Sequence, residues 1–143
     1  MRLTTLGDLP ARIATGGFIL HTGIQKWSAD EQTAQGVHSM AAGAFPFLNA
    51  IPPERFIKLL SVAEIGTGAA LLAPFVPSAV AGAALTGFSG GLVAMYARTP
   101  ALRNPGSIWP SENGIAVAKD VWMLGIGLGF VLDGLSRSRS RCR

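Results

Sequence analysis

The longest feature of the hydrophobic pattern is a run of 33 residues, 65–97, that contains no Asp, Glu, Lys, Arg or His. A soluble domain of this size rarely hides such a stretch, because most of its surface must face water. One membrane-crossing helix needs about 20 apolar residues. Pro74 and Pro77 interrupt the run, and proline ends one helix and begins the next. The pattern therefore predicts a hairpin of two helices, at about residues 54–73 and 78–97.

Two further segments are apolar over the length of a membrane span. Residues 10–27 contain His21 within an otherwise apolar centre, and residues 114–132 are interrupted by Lys119 and Asp120. We therefore expect four transmembrane helices, which makes the fold class an all-α integral membrane protein. We expect these helices to form an up-down bundle, and the length of 143 residues fits one domain over residues 1–143.

The first apolar segment has an alternative interpretation as a signal peptide, with Arg2 and Arg12 as its basic start. Residues 23–26 supply no small-x-small cleavage site, so we expect the helix to be retained. Four helices place both termini on one side of the membrane. That side holds six basic residues, four of them in the tail 136–143, and the opposite side holds five. The positive-inside rule then predicts that both termini are cytoplasmic.

The Arg-rich tail at residues 136–143 is predicted to be a flexible segment whose arginines fix the topology. Contact with the anionic inner leaflet is a second interpretation, and it is simpler than contact with nucleic acid. The long connection at residues 28–53 allows two interpretations. One interpretation is a short helix at the membrane interface, because Ser28 and Glu31 are spaced as a capping box and apolar residues at helical spacing follow them. An ordered loop is the other.

Composition excludes several classes of protein. Charged residues make up only 14% of the chain, which excludes a disordered chain rich in charge. The single cysteine, Cys142, excludes an internal disulfide framework and a Cys-based zinc site, and two histidines make a His-based metal site improbable. No catalytic motif is present. The sequence therefore leaves open whether the protein is an enzyme.

Ionisable residues inside predicted spans are the candidate functional groups. A charge at mid-membrane costs about 2.5–3.5 kcal/mol on insertion scales, so it needs a partner or a role. Glu64 lies ten residues after Glu54, or about 15 Å into its helix and close to the midplane. We expect His21, Glu64, Lys119 and Asp120 to form one polar layer, in which Glu64 pairs with Lys119. A structural bond between helices is the alternative role for these side chains.

Glycines at a spacing of four residues are expected to let helices pack closely in lipid. Two pairs have this spacing, Gly87 with Gly91 and Gly125 with Gly129. Lys26, beside a tryptophan at the end of the first helix, is expected to reach the interface with its ammonium group.

Four pieces of sequence, in chain order, carry a resemblance to a known family. They are Arg12 followed by Gly16-Gly17 and His21-Thr22-Gly23-Ile24-Gln25-Lys26-Trp27; Glu64-Ile65-Gly66-Thr67-Gly68-Ala69-Ala70-Leu71-Leu72; Met95-Tyr96-Ala97; and Lys119-Asp120-Val121-Trp122-Met123-Leu124. The set resembles the DoxX family of small four-helix membrane proteins over about residues 12–134.

The resemblance implies a multi-pass protein of the bacterial or archaeal inner membrane that is associated with redox processes. It implies a subunit that binds a quinone-like or other lipophilic molecule and works with a membrane-associated oxidoreductase, and it leaves a homo-oligomer open. A non-enzymatic scaffold or small-molecule carrier is the alternative. The candidate ligand-binding residues, partly from the resemblance and partly from membrane depth, are Arg12, His21, Lys26, Glu64, Lys119 and Asp120.

Overall fold

Helices account for nearly all regular structure in the computed structural model, which describes residues 4–141. No β-strand occurs among these residues, so the predicted all-α class is confirmed. Six α-helices follow one another as α1 (Leu9–Trp27), α2 (Glu31–Ala44), α3 (Pro53–Leu72), α4 (Ser78–Arg98), α5 (Ile115–Ala118) and α6 (Asp120–Arg141). Short 3-10 turns lie at Pro46–Ala50, Pro100–Leu102 and Glu112–Gly114.

The four long helices correspond to the four segments that the sequence predicts. The last segment differs from the prediction at both ends. It is divided at Lys119 into α5 and α6, and α6 continues as helix to Arg141, through residues that the sequence analysis assigned to a flexible tail. An exposed ion pair between Asp133 and Arg137, one helical turn apart, supports this extension. Arg2, Cys142 and Arg143 lie outside the described residues.

The connection at residues 28–53 contains the short helix α2 rather than a continuous loop. Its N-cap is Asp30, whose carboxylate accepts a hydrogen bond from the Thr33 amide at 2.8 Å. The predicted cap at Ser28 was therefore two residues too early. The exposed Asp30 carboxylate satisfies an amide at the helix start, and these hydrogen bonds hold its pKa below the usual range.

The long helices associate as two close pairs, α1 with α3 and α4 with α6. Glycines permit both approaches. A Cβ atom on Gly68 would lie 2.7 Å from the Leu20 amide nitrogen, and a Cβ on Gly82 would lie 2.8 Å from the Gly127 carbonyl oxygen. A core cluster with members on all four helices then joins the two pairs: Ile19, Leu71, Ala81, Leu85 and Phe130.

The glycines that mediate packing are not the pairs chosen from spacing. Gly87, Gly91, Gly125 and Gly129 are exposed, and a Cβ atom on any of them would meet nothing within 4 Å. A spacing of four residues places two glycines on one helix face, but it does not say which face meets a neighbour. That prediction was wrong, and its physical principle applies at Gly68 and Gly82 instead.

Two helical stretches are long and apolar enough to cross a membrane, Ser78–Arg98 and Glu112–Arg137. Only 33% and 11% of their apolar windows are buried within the protein. A core helix of a soluble protein would be mostly buried, so these two helices do not have that character.

The helix bundle has two ends. The cap end is formed by α2 and residues 99–114, and the terminal end by the start of α1 and the last turns of α6. At the cap end, α2 packs on α3 and α4 through a second apolar cluster, with Ala41, Ala44 and Met95 buried at its centre.

Candidate functional site

Glu64 lies buried on α3, with only 4% of its surface exposed, and its carboxylate is bound by two side chains from α1. The Lys26 ammonium lies 3.0 Å from each carboxylate oxygen, and the Thr22 hydroxyl donates to Oε2 at 3.0 Å. Lys26 and Thr22 are four residues apart, so they share one face of α1. The carboxylate therefore receives donors on both oxygens from a single neighbouring helix.

Gly23 makes this arrangement possible, because a Cβ at its position would lie 2.9 Å from the Glu64 Cβ and 2.9 Å from the Ile65 amide nitrogen. Ser61, one turn before Glu64, is fully buried and donates its hydroxyl to the Gly23 carbonyl oxygen at 2.6 Å. The absence of a side chain at Gly23 lets the helix backbones approach closely. The Ser61 hydrogen bond and the contacts of Glu64 with Thr22 and Lys26 then hold the two helices together.

Glu64 lies nearer to the end of α1 than to its middle. Thr22 and Lys26 are five residues and one residue before the end of α1 at Trp27, so Glu64 lies within about 7 Å of that end. The helix α3 extends past this end of α1 by about two turns, and α2 packs against α3. Lys58, on this projecting part, donates to the Trp27 carbonyl and lies 4.5 Å from the centre of its ring.

Asp120 extends this cluster onto the second helix pair. It is the first residue of α6, directly after the interruption at Lys119, and its side chain is partly buried. Its charge interacts repulsively with Glu64 and attractively with Lys26. Within residues 4–141 no side chain forms a hydrogen bond or ion pair with the Asp120 carboxylate, whereas Glu64 is fully paired. We call Thr22, Lys26, Glu64 and Asp120 the polar cluster.

Two of the predicted layer residues lie elsewhere. Lys119 and His21 are both exposed, and Lys26 occupies the position beside Glu64 that was predicted for Lys119. Adjacent residues on a helix point about 100° apart, so turning Asp120 inward turns Lys119 outward. The Lys26 ammonium is bound by Glu64, and the Lys26 side chain is 26% exposed.

Arg12 lies in a different place, about 15 Å from Glu64 along the helices, near the terminal end. It is 1% exposed, and all five of its N–H donors have protein acceptors. These acceptors, at 2.7–3.2 Å, are the carbonyl oxygens of Ala70, Leu71, Ala73 and Val76 and the hydroxyl of Ser78.

The carbonyls of Ala70 and Leu71 belong to the last turn of α3, which has no partners within its own helix. Arg12 therefore caps α3 and fixes the turn that leads into α4. The Ser78 hydroxyl in turn donates to the Asp8 carboxylate at 2.7 Å. Burial raises the pKa of Asp8, but hydrogen bonds from Ser78 and Thr5 outweigh it and hold that pKa below its usual value of 3.8.

Thr22 and Ser61 are the members of the site region that the sequence analysis missed. Their positions carried a signal, since Thr22 lies four residues before Lys26 and Ser61 three residues before Glu64. A hydroxyl on the same helix face as a buried charge is a natural hydrogen-bond partner.

The residues that the structure describes contain no group of three or more His, Cys, Asp or Glu side chains that could hold a metal ion. Comparison of the chain with protein-family models, with curated proteins and with solved structures gives no match. The function is therefore inferred from the geometry of the polar cluster and from the surface of the bundle.

Proposed function

We propose that all four long helices cross the membrane and that the protein is a multi-pass protein of a bacterial or archaeal inner membrane. The observation that supports this most is an inverted distribution of polarity. Large apolar side chains point outward on every long helix: Ile13, Phe18, Leu59, Val62, Val80, Trp122 and Leu132. Charged and hydroxyl side chains are buried between them: Arg12, Thr15, Ser61, Glu64, Thr67, Ser78 and Ser89. Large exposed apolar surfaces on a protein mark contact with lipid or with another apolar partner.

The helix lengths agree with this placement. The helices α1, α3 and α4 contain 19, 20 and 21 residues, and the last apolar segment, residues 114–132, contains 19. At a rise of about 1.5 Å per residue these lengths are about 29–32 Å, close to the thickness of a hydrocarbon core of about 30 Å. Both termini then lie on one side, and the positive-inside rule favours the cytoplasm.

Topology can be tested with the native thiol of Cys142, the single cysteine of the chain. A membrane-impermeant maleimide should label it in inside-out vesicles and not in intact spheroplasts. Glu112→Cys in a Cys142→Ser background should show the opposite pattern, because Glu112 is exposed at the cap end. Labelling of both positions from the same side would refute a membrane crossing by the last helical segment.

For the polar cluster we propose a site that binds the polar end of a lipophilic small molecule, quinone-like in its chemistry, within a DoxX-like subunit of a redox complex. Lys26 supplies a hydrogen-bond donor, and Asp120 supplies a carboxylate that is not engaged by the described residues. Val121 and Trp122 follow Asp120 and are exposed on the apolar surface. A polar group at the edge of a lipid-facing surface suits a ligand that arrives from the bilayer.

The test is extraction of the protein, purified in mild detergent, followed by mass spectrometry of small molecules. A stoichiometric lipophilic compound is expected in the unmodified protein and is expected to be lost in Asp120→Asn, which leaves the Lys26–Glu64 pair in place. Glu54→Gln, an exposed carboxylate at the same end, is the matched control. Equal ligand content in all three proteins would refute a role for Asp120.

A non-enzymatic scaffold is the second candidate, and one specific observation favours it. Glu64 is completely satisfied by Lys26 and Thr22, which is the arrangement of a structural bond between helices. In that case no small molecule is extracted, and an oxidoreductase partner co-purifies with the unmodified protein and with Asp120→Asn alike.

A further inference from the structure

The connection between α4 and the last helical segment folds into a defined loop at the cap end. Arg103 and Pro110 form an isolated antiparallel bridge. Inside it, the Asn104 amide donates to the Trp109 carbonyl at 3.0 Å. Gly106 turns the chain with a φ of 71°, a conformation that glycine adopts without strain. Backbone hydrogen bonds therefore hold this loop in shape.

A pocket of about 390 Å³ lies within the loop, lined by residues from Pro100 to Ile108. This volume falls in the range of about 300–1,000 Å³ that is typical of small-molecule sites. Arg103 is the one charged side chain that lines it. The pocket is separate from the polar cluster, since none of its lining residues belongs to that cluster.

None of the residues that the structure describes accepts a hydrogen bond from the guanidinium of Arg103. Its Nε atom is buried and forms no hydrogen bond with any described residue. Neither of the ion pairs found within residues 4–141 involves it. A buried N–H that is left unpaired destabilises the protein, more so when the group is charged. Proteins leave such donors in place when water or a ligand satisfies them.

We propose that this pocket binds an oxyanion of the phosphate type through Arg103. The planar guanidinium offers parallel donors that match the oxygens of phosphate. Ile108 lines the pocket and is 77% exposed, and Trp109, the next residue in the chain, is 71% exposed, so an apolar ligand portion can lie beside the bound anion. The anion is therefore either the headgroup phosphate of a phospholipid or a free phosphate.

The experiment has two arms, both with the full chain. In detergent, inorganic phosphate is titrated at constant ionic strength, and the fluorescence of Trp109 is followed in a Trp27→Phe, Trp122→Phe background. In the second arm, the protein is placed in nanodiscs made of phosphatidylglycerol or of phosphatidylcholine. After the protein is released from the nanodiscs, native mass spectrometry counts the lipid molecules that it retains. Arg103→Gln tests the site, and Arg103→Lys keeps its charge. Arg55→Gln is the matched control, because it removes an exposed charge on α3 near the same end.

We expect saturable binding in at least one arm. Arg103→Gln should weaken it by about tenfold or more, as expected for loss of a charge-assisted hydrogen bond, while Arg55→Gln changes it by less than about twofold. Retention of lipid without response to inorganic phosphate identifies a headgroup site, and the reverse identifies a free anion. Non-saturable binding in both arms overturns the proposal. Equal weakening by Arg103→Gln and Arg55→Gln also overturns it, since diffuse attraction would then suffice.

Discussion

Replacement of Arg12 by Lys is the sharpest test of how the bundle is held at its terminal end. The substitution keeps the positive charge and most of the aliphatic stem. Lysine has three N–H donors, whereas Arg12 uses five, so at least two acceptors lose their partner. Those acceptors include carbonyls of the last turn of α3, which no other residue of the helix can satisfy.

The magnitude follows from the number of bonds lost. A hydrogen bond to a charged group contributes about 1.5–3 kcal/mol, so two lost bonds predict a destabilisation of about 3–6 kcal/mol. Whole domains are stable by only about 5–15 kcal/mol, so Arg12→Lys should be among the most damaging charge-conserving changes in the chain.

The assay is thermal or denaturant unfolding in one mild detergent, with Arg55→Lys as the control at an exposed position. The control should unfold within about 0.5 kcal/mol of the unmodified protein, as surface substitutions usually do. If Arg12→Lys is also within about 1 kcal/mol, the five-bond geometry is not what stabilises this turn. If stability is unchanged but ligand content falls, Arg12 belongs to a ligand site instead, and the capping argument is refuted.

Three further predictions use the same unfolding measurement. Glu64→Gln and Lys26→Met should destabilise the protein singly, and the double variant should be less damaged than their sum by about 0.5–3 kcal/mol; additive effects would show that the pair is not coupled. Gly68→Ala should cost about 1–3 kcal/mol, because its Cβ would meet the backbone of α1, whereas Gly87→Ala should be neutral or stabilising; similar effects at both would contradict the packing. The pKa of Asp8 is lower in the folded state, so the ionised carboxylate stabilises the protein above about pH 3.8, and this contribution is lost as the pH falls through the folded-state pKa. In Asp8→Asn, the free energy of unfolding should therefore depend less on pH between about pH 5 and pH 3.

Two regions of the chain, the polar cluster and the loop pocket, offer different chemistry and can be tested separately. The cluster has a paired carboxylate, an ammonium and a second carboxylate near the end of α1. The pocket has a single guanidinium within a loop. Asp120→Asn addresses the first and Arg103→Gln the second, so failure of one proposal leaves the other intact.

The sequence by itself determined the helical content and the approximate limits of the long helices. Uninterrupted apolar runs and the prolines at positions 74 and 77 leave few alternatives, because each acts through the local backbone. The sequence also identified Glu64 and Asp120 as unusual, since a charged residue within an apolar stretch is visible in the sequence itself.

Only the tertiary structure decided which residues meet. The partner of Glu64 is Lys26 rather than Lys119, because the register of α1 against α3 is set by close approach at Gly23. Likewise, only the packing shows that Gly68 faces α1, whereas Gly87 on α4 faces no neighbouring helix. Local patterns fix what a helix presents on each face, whereas the choice of facing helix and its register depend on contacts between distant parts of the chain. Those contacts are not encoded in any short stretch of sequence.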